Sequence, residues 1–444
     1  MNTFSKPGRM GLAALAGALV TGGVALVMPA LALAQATPVL PLSLTAQVGQ
    51  QLFHDTNLSA SRQLACATCH DPGNHYAQPA GNTRPVQLGG ANGATPGFRA
   101  VPTLTYKEFV PAYADDALNP DGVSTNGPGG GFTWDGKANT LAEQAAQPLL
   151  ASYEMANASP AALVLAVQAS SYASLFQQAF GADVFDSGNT AAAFADIGAA
   201  LQAYQQEDAS FHPYTSKFDL YAHNKVGGDL TQAEARGFAV FIDPNRGNCD
   251  ACHYSGPMVG GGEYQFTDFT HLAIGVPRNP NIPAYAAKPG LPAAYDLGTC
   301  QAQNPNQAHT LPASGALCGM FKTPTLRNVA TRQVFFHNGV LHNLSDVIHF
   351  YNTRDIQPEL WYPVNKGVVQ KFNDLPLAYR ANLDSSDAPF QGFQPGGTPP
   401  MSSQDEHDLE CFLNTLTDGY YYVDSNRNYV TGLLPTKAGC EDTN

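Results

Sequence analysis

The residues of this chain with the clearest chemistry occur as two copies of one pattern, Cys66-Ala67-Thr68-Cys69-His70 and Cys249-Asp250-Ala251-Cys252-His253. C-x-x-C-H is the spacing of a c-type haem attachment site: two thiols form thioethers with the porphyrin and the adjacent imidazole ligates iron from one face. Paired cysteines also hold zinc, but zinc ribbons set their two pairs roughly 15–20 residues apart. Cys66 and Cys249 lie 183 positions apart. The spacing therefore predicts two covalently bound c-type haems, attached through Cys66, Cys69, Cys249 and Cys252, with His70 and His253 as iron ligands.

The sixth position on each iron decides what a haem can do. An open position admits peroxide or another small oxidant, whereas a fully ligated iron only passes electrons. His75 follows His70 too closely to reach the opposite porphyrin face and reads as a surface or propionate-side residue; residues 76–100 contain neither His nor Met. The first iron is thus expected to be open or water-bound. For the second, Met258 is again too close, and spacing does not choose among Met320, His337, His342, His349 and Tyr351.

Helices must carry these groups. Gly49-Gln50-Gln51-Leu52-Phe53 before the first motif and Gly237-Phe238-Ala239-Val240-Phe241 before the second form a weak internal duplication. Both read as amphipathic helices feeding the haem loop, the second opened by a capping box at Thr231 and Glu234. Ser159-Pro160 predicts a helix running through Phe176, and another covers 191–206. Ser403-Gln404-Asp405-Glu406 opens a last helix with Leu409, Phe412, Leu413 and Leu416 on one face. Strand signals are scarce, and segments 79–133 and 276–316 read as long Gly/Pro-rich loops. The expectation is a mainly α protein of two cytochrome c-like haem domains: a leader at 1–34, an N-terminal domain at 35–220 with a helical insertion, and a C-terminal domain at 221–444.

The leader reading rests on Lys6 and Arg9, then an apolar stretch ending in Ala32-Leu33-Ala34, the pattern of a cleaved export signal. A retained anchor is the alternative for an apolar run of that length; cleavage would leave a periplasmic protein with no membrane span. The net charge is −14, and loss of two basic leader residues makes it more negative. That balance excludes nucleic acid as an electrostatic partner and favours basic or uncharged ones. Four of the eight cysteines remain after the haem motifs, and an oxidising compartment predicts the pairs Cys300–Cys318 and Cys411–Cys440.

Phe321-Lys322-Thr323-Pro324-Thr325-Leu326-Arg327-Asn328-Val329, followed by Phe336-His337-Asn338-Gly339, resembles a signature of the bacterial di-haem cytochrome c peroxidases. Trp134-Asp135-Gly136-Lys137-Ala138, with Gln144, Pro148 and Glu154-Met155, resembles a second. The similarity extends to the methylamine-utilisation branch, whose enzymes use peroxide to oxidise tryptophans of a partner protein. The resemblance implies Tyr351 as distal ligand of the second haem, in place of the methionine of enzymes fed by small cytochromes. It further implies Trp134 between the haems, and Glu154 and Gln144 over the open haem as proton carrier and hydrogen-bond donor. On residue type alone Trp134 would be a core indole, and Glu154 and Gln144 helix-surface groups. His337 is expected near a propionate or the inter-haem loop, not on iron. The family's inter-haem calcium would use the carbonyls of Thr331 and Val334, but its asparagine position falls on Ala100.

The function expected is a periplasmic di-haem peroxidase reducing H2O2 at the N-terminal haem, with a small cytochrome or cupredoxin as electron donor. The same chemistry directed at Trp or Tyr residues of a protein substrate, and a non-catalytic di-haem electron carrier, are the alternatives.

Overall fold

The computed structural model describes residues 41–120, 126–258, 262–286, 294–300, 315–385, 389–390 and 392–442. The leader expected at 1–34 and most of 301–316 lie outside the described residues. Among the described residues no helix is long and apolar enough to cross a membrane.

The duplicated segments form equivalent pieces of structure. Leu44–His54 is a helix whose N-cap Ser43 accepts a hydrogen bond from the Ala46 amide at 3.1 Å. Its inner face, led by Leu52 and Phe53, packs along the long helix Thr190–Glu207. Gln232–Ile242 opens on the expected Thr231/Glu234 capping box and packs along Ser403–Asn414 in the same way. Both pairs are in contact at the duplicated glycine. A Cβ on Gly49 would sit 1.9 Å from the Ala200 carbonyl oxygen, and one on Gly237 would sit 1.9 Å from that of Asp408. No side chain fits between backbones this close.

Each pair carries its own hydrophobic cluster. The first gathers Phe53, Tyr76, Tyr204 and Phe211, with Tyr76 stacked on Phe211 at 3.8 Å. The second gathers Phe218, Phe241, Phe266 and Phe412 in largely edge-to-face contacts, an arrangement that adds to plain area burial. Arg327, from the signature motif, is fully buried beside the second cluster. It is bidentate to Asp219 (2.6 and 3.2 Å), donates to the Tyr264 carbonyl, and lies between the Tyr106 and Tyr214 rings. Its partners make it a structural arginine.

Several expectations need correction. The helix opened by Ser159 ends at Gln168, and Ala173–Phe180 is a separate helix. The run breaks at Ser170-Ser171-Tyr172, residues of lower helix propensity than the alanines and leucines before them. The last helix is capped by Ser402, whose hydroxyl pairs with Asp405, so its box starts one residue earlier; Leu416 lies beyond its end. Segment 79–133 is not loop alone, since it holds the antiparallel ribbons Leu88–Gly89/Thr95–Pro96 and Ala114–Ala117/Gly127–Gly129. His75 is half-buried, which removes the surface half of its expected placement and leaves the propionate-side half as an expectation.

Both disulfides pair as expected. Cys411–Cys440 brings the C-terminal tail back so that the Thr231 hydroxyl donates to the Cys440 carbonyl at 2.7 Å. The bond thereby holds the cap of the helix preceding the second haem motif. Closing a loop of sequence separation 29 stabilises by about 3–4 kcal/mol in the chain-entropy model. Replacing both cysteines with serine should lower stability by that amount, seen as a reduced Tm in calorimetry; an unchanged Tm would show that the tail contributes nothing.

Candidate functional site

Each C-x-x-C-H motif forms a helical turn that ends by delivering its histidine. The His70 amide donates to the Cys66 carbonyl at 2.9 Å, and the His253 amide to that of Cys249 at 2.8 Å. Both rings are anchored at Nδ1, His70 to the Tyr76 carbonyl (3.1 Å) and His253 to the Phe266 carbonyl (3.2 Å). Such a carbonyl contact fixes ring orientation and leaves Nε2 as the nitrogen that meets a metal. Burial lowers both imidazole pKa values to about 4, so both rings are neutral at neutral pH, the form that can ligate a metal.

Two large cavities receive these groups. The first is walled by Cys66, Cys69 and His70, with Gln144 and Glu154. The second is walled by Cys249, Cys252 and His253, with Tyr351 and His337. Trp134 lines both, as do Lys107 and Lys322. Its indole Nε1 donates to the Ala100 carbonyl at 2.9 Å, and its own carbonyl accepts from the Lys322 amide at 2.8 Å. The core reading for this tryptophan therefore gives way to a place in the wall common to both cavities.

Pro148 explains how Gln144 and Glu154 come to share a wall. Lacking an N–H, it cannot bond the Gln144 carbonyl, and the helix Leu141–Leu150 stops within a turn. The chain then folds back, the Met155 amide donating to the Pro148 carbonyl at 3.1 Å, which returns Glu154 to the cavity. Glu154 carries accessible surface yet is densely enclosed by protein, because its exposed atoms form cavity wall. Desolvation raises its pKa, against the opposing pull of Lys137 and Arg99. Arg99 is itself held by Asp135 (2.8 Å) and Asp296 (2.6 Å).

Of the open candidates for the second iron, Tyr351 and His337 line the cavity, and Met258, Met320, His342 and His349 do not. His337 stacks on Phe321 at 3.6 Å with its Nε2 3.6 Å from Asp374. Tyr351, on the helix Leu344–Thr353, stacks against Phe390, and burial pushes its phenol pKa up. Methionine also reaches both walls: Met155 in the first and Met401 in the second, each packed into its hydrophobic cluster. His70 is the one histidine among the residues lining the first cavity.

The cavities fit a haem on two grounds. Their four cysteines form no disulfide, while the other four are paired with each other. The cavities also hold buried polar atoms without a hydrogen-bond partner, Gln147 Oε1 in the first and His337 Nε2 in the second. Lys107, Lys322 and Arg332 are cations without an ion pair among the described residues, and desolvation lowers the pKa of all three, Lys107 to about 8 and Arg332 to about 10. They are the groups that would meet haem propionates. Sequence reasoning missed Lys107 and Arg332 in this role. Lys322 alone had a signal, its place inside the signature motif.

A family profile described as di-haem cytochrome c peroxidase matches residues 44–227. The methylamine utilization protein MauG of Paracoccus denitrificans is 34% identical over 310 residues, 69% of this chain and 74% of that protein. The cytochrome c551 peroxidase of Pseudomonas aeruginosa is 25% identical over 317 residues, 71% and 73% respectively. Among solved structures, the diheme peroxidase BthA from Burkholderia thailandensis superposes with a TM-score of 0.74 at 34% identity, covering 86% of this chain and 87% of that one.

Proposed function

Since the chain belongs to the di-haem cytochrome c peroxidase family, oxidoreductases that act on peroxide with two c-type haems, we propose that it reduces H2O2 at the haem held by His70 and shares the oxidising equivalents, through Trp134, with a second haem held by His253 and Tyr351. The domains expected at 35–220 and 221–444 would carry one haem each. The observation behind this reading is the inequality of the two cavities. Glu154 and Gln144 face the first, a tyrosine faces the second, and one indole stands in both walls.

When bound, the haems supply the redox chemistry; the side chains supply the rest. Glu154, with its pKa raised by desolvation, is suited to take a proton from one peroxide oxygen and return it to the other as that oxygen leaves as water. The Gln144 amide can donate a hydrogen bond that orients peroxide. Lys107, Lys322 and Arg332 offset propionate charge. Tyr351, in the wall of the second cavity, would hold that haem's iron together with His253 and so keep peroxide from it. An anionic, hard phenolate favours oxidised iron, so this haem is better suited to holding an oxidising equivalent than to collecting electrons.

Trp134→Phe should leave peroxide consumption at the first haem near the parent rate and slow the response of the second haem at least about tenfold, equivalent to ~1.4 kcal/mol. Stopped-flow spectra resolving the two haems measure this, and a second haem that responds at the parent rate would remove Trp134 from the pathway.

A second reading keeps the chemistry and makes the reductant a Trp or Tyr of a partner protein; the presence of Tyr351 in the wall of the second cavity favours it. The site of action is the periplasm, and the donor in the first reading is a small cytochrome or cupredoxin with a basic or neutral face. Mixing the di-ferric protein with one equivalent of H2O2 and then with reduced cytochrome separates the two. Rapid oxidation of the cytochrome supports the peroxidase, and a persistent oxidised state that ignores it supports partner modification. A spectrum unmoved by peroxide would contradict both and leave an electron carrier.

A further inference from the structure

We infer that the guanidinium of Arg332 occupies the place between the haem cavities where calcium was expected, so that this chain carries its inter-haem cation as a side chain and takes no divalent ion there. Arg332 Nη2 donates to the Val334 carbonyl at 3.2 Å and to the Val101 carbonyl at 3.0 Å. Val334 is one of the two carbonyls expected to bind calcium, and it already faces a positive charge. The expected asparagine ligand is Ala100, which has only a methyl group to offer. Its backbone is committed as well, the carbonyl accepting from Trp134 Nε1 at 2.9 Å and the amide donating to the His337 carbonyl at 2.7 Å.

The donor set does not suit a hard dication. Calcium takes six to eight oxygens, with carboxylates prominent among them. A small cavity of about 10 Å³ beside Arg332 is bordered by Asn74, Gln78, Asn82, Gln333 and Val334, with no carboxylate. Gln78 Oε1 has no protein partner there, but the cavity has room for a single water. A guanidinium keeps its charge at neutral pH, so the two carbonyls meet a cation. The charge has a position to hold: Arg332 also lines the second haem cavity. By tying Val101 to Val334 it links the strand of chain around Ala100, which anchors the Trp134 indole, to the loop leading to His337. The inference is independent of the peroxidase reading and would hold for an electron carrier.

The test uses the holoprotein. After gel filtration in chelator, metal analysis should find no stoichiometric calcium, and neither chelator nor millimolar Ca2+ should change the Tm or the low-temperature EPR spectrum. One retained calcium per chain, or a chelator-induced spectral change, would overturn the inference. Arg332→Ala should lower the Tm, perturb the EPR signals and acquire a Ca2+-dependent rise in Tm, whereas Arg332→Lys should stay close to the parent. An alanine variant identical to the parent, with or without Ca2+, would also overturn it. Should that variant not fold, the parent's metal content and the lysine variant decide.

Discussion

Replacing Glu154 with glutamine should slow the reaction of the di-ferric protein with H2O2 by about 10²–10⁴-fold, the range contributed by a positioned proton-transfer group. Glutamine keeps the shape and a hydrogen-bonding head but cannot take up and return a proton. The position is enclosed, and its carboxyl is shifted toward the neutral form by desolvation, the environment that moves a carboxyl pKa toward working pH. Lys137 and Arg99 oppose that shift and keep the group able to ionise. The measurement is the second-order rate constant by stopped flow, with pyridine haemochrome confirming that both haems remain attached. The spectrum of the second haem should not change, because Glu154 lines only the first cavity. A rate constant equal to the parent's would take Glu154 out of the proton pathway.

The second large effect is expected at the other haem. Tyr351→Met exchanges an oxygen donor for a thioether, which favours ferrous iron, and should raise the potential of that haem by on the order of 0.1 V or more, within the roughly 0.8 V span that axial ligands set. The variant should accept electrons from reduced cytochrome more readily and lose its oxidised state sooner. Spectroelectrochemistry reads the potential directly. An unchanged value would show that Tyr351 does not ligate iron and would turn attention to His337 or Met401 in the same cavity wall.

The local determinants of both haem sites could be read from the chain because they are short-range. A C-x-x-C-H motif carries its own geometry, and the helix feeding each motif is marked by a capping residue and apolar periodicity. The duplicated glycines were visible as a repeat, but their reason, two backbones 1.9 Å from a built Cβ, lies in partners 150 or more residues away in sequence. Composition could not have placed Trp134 in two walls at once, nor returned Glu154 to the cavity through the stop at Pro148. The signature motif flagged Lys322 and Arg327 without separating them, yet Lys322 lines both haem cavities without an ion pair among the described residues, whereas Arg327, at the wall of the second, is held by Asp219 and two tyrosines. Arg332 was hidden for a different reason. A charged residue in a loop reads as a solvated one until the carbonyls it bonds are known.

The account turns on the two irons being unequal, His70 holding an open one and His253 one closed by Tyr351. Low-temperature EPR of the di-ferric holoprotein, supported by resonance Raman, tests this most directly. The account predicts one high-spin haem, five-coordinate or water-bound, and one six-coordinate haem with a tyrosinate band that is lost in Tyr351→Phe. Two six-coordinate haems, each with a second protein ligand such as Met155 on the first, would contradict it.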